Sequence, residues 1–195
     1  MDPVLLYAAF AVVITVWTGN YVATRVGRDQ FEAAGACRQP VMDVGHALVP
    51  QINLPLALTI GITLFWVPFV AMSSARTAIV QRIGLRVMLL FALRAITNVV
   101  TILPKQEACE AKFKWYMLFN GACYDKVFSG HSALAVLVSL ALVTYGVWPA
   151  WAGWTYTSGM VLVLLVSRGH YTVDIVLGLA LAFMSWNMSL PWNST

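Results

Sequence analysis

The chain has 195 residues, of which 60% are hydrophobic and 10% charged, with a formal net charge of +4. An average soluble domain is nearer ~45–50% apolar and ~25% charged, and so small a globule could not bury this much apolar side chain and still present a polar surface. The composition excludes an ordinary soluble domain and a disordered chain and points to an integral membrane protein; its 12 basic residues form no dense run, which disfavours nucleic acid as a partner.

Runs free of charge and histidine set the predicted elements, because a spanning helix needs about 20 apolar residues. Pro3 to Thr24 is the first, 22 residues long. No basic residue precedes it and no clear small-residue cleavage site follows, so it reads as a retained span and not a signal peptide. Ala47 to Ala75 gives 29 residues, and residues 83–104 form a further candidate interrupted by Arg86 and Arg94. Ser132 to Ser167 gives 36, about 54 Å as one helix and too long for one crossing. That run carries its own break, Gly146-Val-Trp-Pro-Ala-Trp-Ala-Gly153, where Pro149 turns the chain and Trp148, Trp151 and Trp154 suit an interfacial belt. Ile175 to Thr195 adds 21. The expectation is an all-α membrane protein with six transmembrane helices, at about 4–25, 52–72, 83–104, 131–147, 151–167 and 171–189. They form a single bundle and one catalytic domain over 1–195, with the two longest loops at 26–51 and 105–130. Asn187-Met-Ser and Asn193-Ser-Thr fit the glycosylation pattern but fall in or beside the last helix.

Six spans put loops 26–51 and 105–130 and the 167–171 connection on one membrane face. That face then holds His46, His131 and His170, all three histidines of the chain, and seven of the eight acids: Asp29, Glu32, Asp43, Glu107, Glu110, Asp125 and Asp174. A structural protein has no need to gather these groups; an enzyme with a site on that face does. Cys37, Cys109 and Cys123 fall there too. Three cysteines make no disulfide framework, although one pair is feasible in an oxidising lumen.

Three segments carry the chemistry. In Cys123-Tyr-Asp-Lys-Val-Phe-Ser-Gly-His-Ser132, residues Ser129, Gly130 and His131 stand at a helix N-terminus, where free backbone N–H groups and the helix dipole favour a phosphate. In Ser167-Arg-Gly-His-Tyr-Thr-Val-Asp174, His170 and Asp174 are four apart, so on a helix they share a face and can hydrogen-bond. A carboxylate on one imidazole nitrogen orients the ring and leaves the other to attack phosphorus or move a proton. In Arg94-Ala-Ile-Thr-Asn-Val-Val-Thr-Ile-Leu-Pro104, residues Arg94, Thr97, Asn98 and Thr101 form one stripe, and an arginine within a span should face a partner or a water-filled cavity. Against these stand blander readings: a helix-start histidine, a structural His–Asp pair, an arginine paired with an acid in the bundle. All three must hold together for a channel or scaffold reading to survive. Two histidines and an aspartate could in principle ligate zinc, but this arrangement suits phosphoryl transfer better, with no metal and no cofactor.

Taken together, these residues resemble the sphingomyelin synthase-related branch of the type 2 phosphatidic acid phosphatase (PAP2) superfamily. Cys123-x-Asp125-x-x-Phe-Ser-Gly-His131 is similar to the third motif of that branch and His170-Tyr-Thr-Val-Asp174 to its fourth. Arg94 with Thr101-Ile-Leu-Pro104 is similar to its second, and Pro40-Val-Met-Asp43 echoes its first, where Leu-Pro-Asp is usual. The resemblance covers about 40–178, so the chain looks like a bare catalytic core without the extra N-terminal domain of some relatives. The Lys-x6-Arg-Pro motif of the superfamily's lipid phosphatases is not found. Ser167-Arg168 is followed by one residue before His170 where those enzymes have five, which favours the transferase branch.

The resemblance implies a phospho-headgroup transferase. His170 is then the nucleophile, Asp174 its orienting partner and His131 the general acid and base, with a phosphohistidine intermediate. Arg94, Ser129, Gly130 and Arg168 would hold the phosphate. Asp125, with Tyr124, Tyr171, Trp115 or Tyr116, could hold a quaternary ammonium by charge and cation–π contact. The expected partners are a phospholipid donor, phosphatidylcholine before ethanolamine or inositol lipids, and a lipid alcohol acceptor, ceramide or diacylglycerol. With water as acceptor the same chemistry gives a phospholipase C-like hydrolase or a lipid phosphate phosphatase. The family places the site on the lumenal or exoplasmic side of an endomembrane (ER or Golgi) or plasma membrane. Eight Lys and Arg on the catalytic face, against three on the other, would by the positive-inside rule put it in the cytosol. Oligomeric state is left open.

Overall fold

A computed structural model of the chain describes residues 41–101 and 127–189, together with scattered positions between 10 and 29. Helices joined by turns and short irregular connections make it up, with no strand among the described residues. In chain order the helices are α1 (Val44–Leu48), α2 (Leu56–Leu64), α3 (Val67–Met72), α4 (Arg76–Val100), α5 (Gly130–Thr144), α6 (Ala150–Val166) and α7 (Thr172–Asn187). The described positions between 10 and 26 are helical as well.

The last three helices fall within three residues of their predicted bounds. Each has a local start: Ser129 caps α5 by accepting from the Ser132 N–H, Pro149 precedes α6, and Tyr171 precedes α7. Two expectations need correction. The single span at 52–72 is two helices, α2 and α3, broken at Phe65–Trp66. Pro68 has no N–H to give the Leu64 carbonyl, and its ring would clash there. The Tyr156 hydroxyl covers the preceding carbonyls, Ile62 at 3.1 Å and Thr63 at 3.2 Å. The span at 83–104 begins earlier, at Arg76, and ends at Val100. Loop 26–51 also contains α1.

No helix among the described residues is both long enough and apolar enough to cross a membrane. Helices α5, α6 and α7 have 15, 17 and 16 residues. At 25 residues α4 is long enough, but it carries four arginines. The six-span count therefore goes beyond what these helices show.

Helix α5 is central and packs against α4, α6 and α7. Ile79, Ile83 and Leu90 of α4 meet Leu137, Val138 and Leu142 of α5 and Ala182 and Trp186 of α7 in the main core. A second cluster joins Ala135 to Met160, Leu164 and Ile175. The α5–α6 seam closes on small residues: the Ser139 hydroxyl lies 2.9 Å from both the Gly153 carbonyl and the Thr157 hydroxyl oxygen. At the C-terminal end of α7, Arg86 is fully buried and donates to the carbonyls of Ser185, Trp186 and Met188 at 3.0, 3.3 and 3.4 Å. It thereby caps the C-terminus of α7, where the helix dipole favours a cation.

Candidate active site

The N-terminal ends of α5 and α7 meet at the end of the bundle opposite Arg86. The Ser129 N–H donates to the Asp174 carbonyl at 2.8 Å, and the Ser132 hydroxyl donates to the Ile175 carbonyl at 3.3 Å. Gly178 makes this approach possible. A Cβ there would lie 2.3 Å from the Ser132 hydroxyl oxygen and 2.5 Å from the Ser129 carbonyl oxygen.

His131 and His170 are brought side by side, their ring centroids 6.0 Å apart. His170 is buried and Asp174 completely so, with 3.3 Å between His170 Nδ1 and Asp174 Oδ2. The pair does not share a helix face, as the four-residue spacing suggests. His170 lies just before α7, and Asp174 folds back from the first turn to accept the Tyr171 N–H at 3.1 Å. The helix start fixes the carboxylate, and the carboxylate fixes the ring.

Arg94 reaches the same place from α4. It is 5% exposed, and its Nη1 lies 3.3 Å from where a Cβ on Gly130 would stand. A Cβ at this position would be a tight contact with the guanidinium and with Phe91, so the start of α5 lies close against both. Of the predicted polar stripe, Arg94 and Asn98 are buried and Thr97 half-buried, but Thr101 is exposed past the helix end. Ser129 is committed to the fold: its N–H goes to Asp174 and its hydroxyl to the cap of α5. A phosphate contact through that N–H would require breaking a bond between the two motifs. Arg168 lies in the turn before His170 with φ 55°, a left-handed conformation uncommon outside glycine. Its Nη2 donates to the Val49 carbonyl at 3.0 Å, while Nη1 is buried with no partner among the described residues. Asp125, Tyr124, Trp115, Tyr116 and the three cysteines lie outside the described residues. Tyr171 is buried, its ring 5.8 Å from that of His46.

Sequence reasoning assigned no role to Asp43, His46 or Thr172, which lie against this site. Asp43 accepts from the N–H groups of His46 at 2.8 Å and Thr172 at 2.7 Å and from the Thr172 hydroxyl. His46 Nε2 lies 2.9 Å from the His170 carbonyl oxygen. The available signal was a histidine three residues after the aspartate of the first motif. The three histidines thus gather at one end of the bundle, as the loop placement predicts.

A buried imidazole held by a carboxylate, a second imidazole beside it, and an arginine over a helix N-terminus can transfer a phosphoryl group through nitrogen. Comparison with known proteins agrees with this class. Residues 122–190, which carry both histidine motifs, match the family described as PAP2 superfamily C-terminal. Among individual proteins, the chain is 24% identical over 211 residues to phosphatidylcholine:ceramide cholinephosphotransferase 1 of Caenorhabditis elegans, across 90% of this chain and 44% of that protein. It is 29% identical over 79 residues to protein PHLOEM UNLOADING MODULATOR of Arabidopsis thaliana, across 38% of this chain and 19% of that protein. The chain thus spans less than half the length of the curated relatives it matches. The likeness to the sphingomyelin synthase-related branch, drawn from the motifs, is borne out.

Proposed function

We propose that the protein is a membrane-embedded lipid phospho-headgroup transferase, in its most specific form a phosphatidylcholine:ceramide cholinephosphotransferase. The observation that carries this reading is the juxtaposition of His131 with the buried His170–Asp174 pair. With Nδ1 on Asp174, attack falls to Nε2 of His170. A bond forms from Nε2 to the donor's phosphorus, the bond from phosphorus to the diacylglycerol oxygen breaks, and His131 gives that oxygen its proton. The acceptor's hydroxyl then loses its proton to His131 and attacks phosphorus, and the P–N bond breaks to restore His170. Arg94, Arg168 and the first N–H groups of α5 would balance the phosphate charge.

Membrane embedding is supported by helix α4, which buries polar side chains beside its apolar core residues and turns an aliphatic stripe outward. Arg86, Arg94 and Asn98 are at most 5% exposed, while Leu89, Leu93, Ile96 and Val100 are 38–73% exposed. Water would favour the reverse; a hydrocarbon surround favours this. Six spans and a site facing the lumen or exterior of an endomembrane or plasma membrane complete the reading, with ceramide as acceptor and diacylglycerol as its alternative. The C. elegans relative, by its name a ceramide cholinephosphotransferase, supports the donor and acceptor. Hydrolysis, as in a phospholipase C or lipid phosphate phosphatase, is the second reading, because the same two histidines serve water equally well.

Purified protein given headgroup-labelled phosphatidylcholine and ceramide should form labelled sphingomyelin, and His170→Ala should abolish it. Free phosphocholine without transfer, or phosphate released from phosphatidic acid, would replace the transferase reading with the hydrolytic one. Full turnover in a folded His170→Ala variant would end both.

A further inference from the structure

Residues 43–52 run antiparallel to residues 166–172 and are tied to them at four successive points. Asp43 accepts the Thr172 N–H at 2.7 Å. His46 Nε2 meets the His170 carbonyl at 2.9 Å. The Val49 carbonyl accepts from Arg168 Nη2 at 3.0 Å, and the Ile52 N–H donates to the Val166 carbonyl at 2.7 Å. Gly45 allows the close approach: its N–H donates to the Thr172 hydroxyl at 3.1 Å, and a Cβ there would fall 2.2 Å from that oxygen. The held turn contains the left-handed Arg168, a conformation that persists only when its surroundings enforce it.

We infer that residues 43–52 form a strap that positions His170, with His46 and Asp43 as the positioning residues. A carbonyl oxygen only accepts, so His46 must donate to His170 through a protonated Nε2. Asp174 fixes the His170 ring from one side and His46 fixes its peptide group from the other. Asp43 joins the start of α1 to the start of α7 with a single carboxylate, so the strap cannot shift without moving the first turn that carries Asp174. The inference rests on the reading of His170 as the reacting histidine, and it gives the first of the four motifs a physical task.

The test compares His46→Ala and His46→Asn, which lose the bond to the His170 carbonyl, with His46→Gln, whose side-chain amide reaches the former Nε2 position. The first readout is peptide-mapped diethyl pyrocarbonate labelling of each histidine in the purified protein, which needs no turnover. His46→Ala and His46→Asn should label His170 about fivefold faster than wild type, with His131 unchanged, because the turn opens locally more often. The second readout is headgroup transfer: kcat should fall about 10- to 100-fold at little-changed KM, the cost of misplacing a reacting group by about 1 Å. His46→Gln should restore both. Wild-type labelling in His46→Ala and His46→Asn, or a His46→Gln variant as impaired as they are, would overturn the strap. Absence of wild-type turnover with every donor would instead overturn the proposed reaction, and the labelling would still decide the strap.

Discussion

The carboxylate of Asp43 makes the clearest residue-scale prediction, because several opposing effects act on one group. Burial alone would push its pKa up. The Thr172 hydroxyl, the N–H groups of His46 and Thr172 and the nearby imidazole outweigh burial and hold the pKa below the ordinary 3.8. A carboxylate depressed by folding stabilises the protein above its unfolded pKa, and that stability is lost as pH falls through the folded value. Asp43 should therefore contribute to a fall in wild-type melting temperature as pH drops below about 4. Asp43→Asn should melt lower than wild type at neutral pH but change less across that acid range, as a thermal-shift series from neutral to acid pH would show. His131 makes a second prediction. If it protonates the leaving alcohol, His131→Ala should lose about 10²- to 10⁴-fold in rate on a natural phospholipid. It should lose far less on a p-nitrophenyl phosphodiester, whose leaving group needs no proton. Equal losses on both substrates would assign His131 to binding.

At the scale of elements, α7 is held at both ends by contacts with distant segments. At its N-terminal end, by the candidate site, the clearance is provided by Gly178 against Ser129 and Ser132. Gly178→Val has no room for its side chain beside the Ser129 carbonyl, so α7 must move off α5. The expected cost is about 1–3 kcal/mol, with loss of transfer activity because His131 and His170 separate; a melting curve and an assay check both. At the far end, the Arg86 guanidinium reaches three carbonyls of the α7 terminus and packs near Trp186, 5.1 Å from its ring. A lysine cannot reproduce that planar fork. Arg86→Lys should lower stability by about 1–3 kcal/mol while the fraction that stays folded keeps its KM and kcat. A changed KM would mean that this end communicates with the site.

At the scale of the whole molecule, apolar side chains face outward as well as inward. Trp151, Trp154, Leu162, Val176, Phe183 and Met184 are all more than half exposed on α6 and α7, and α4 has its aliphatic stripe on the outside. A hydrocarbon surround would accommodate such a surface, in keeping with the proposed membrane embedding. The protein should stay with the membrane through alkaline carbonate extraction, and release into the supernatant would overturn the embedded reading. The helices past Ser129 were the most legible in the sequence, because long apolar runs bounded by Ser-Gly, Pro149 and His170-Tyr171 leave few alternatives. Span 52–72 was misread because its hydropathy is continuous across Pro68, whose effect is on one backbone bond and not on composition. Span 83–104 starts too late because the helix continues back through Arg82 to Arg76, and Arg86, an interruption by hydropathy, is buried on the carbonyls of another helix.

The sequence by itself determined the helical class and most residues of the candidate chemistry. Ser129-Gly-His131 and His170 with Asp174 are legible because a helix start and a four-residue spacing act within one or two turns. The tertiary structure alone decided that these two local motifs face each other. It also decided that Arg94 stands over Gly130, and that Asp43 and His46 hold a turn more than 120 residues away. Those meetings depend on clearances at Gly45 and Gly178 and on which backbone groups remain open at helix ends. Such properties arise only when elements pack, and no local pattern of residues encodes them.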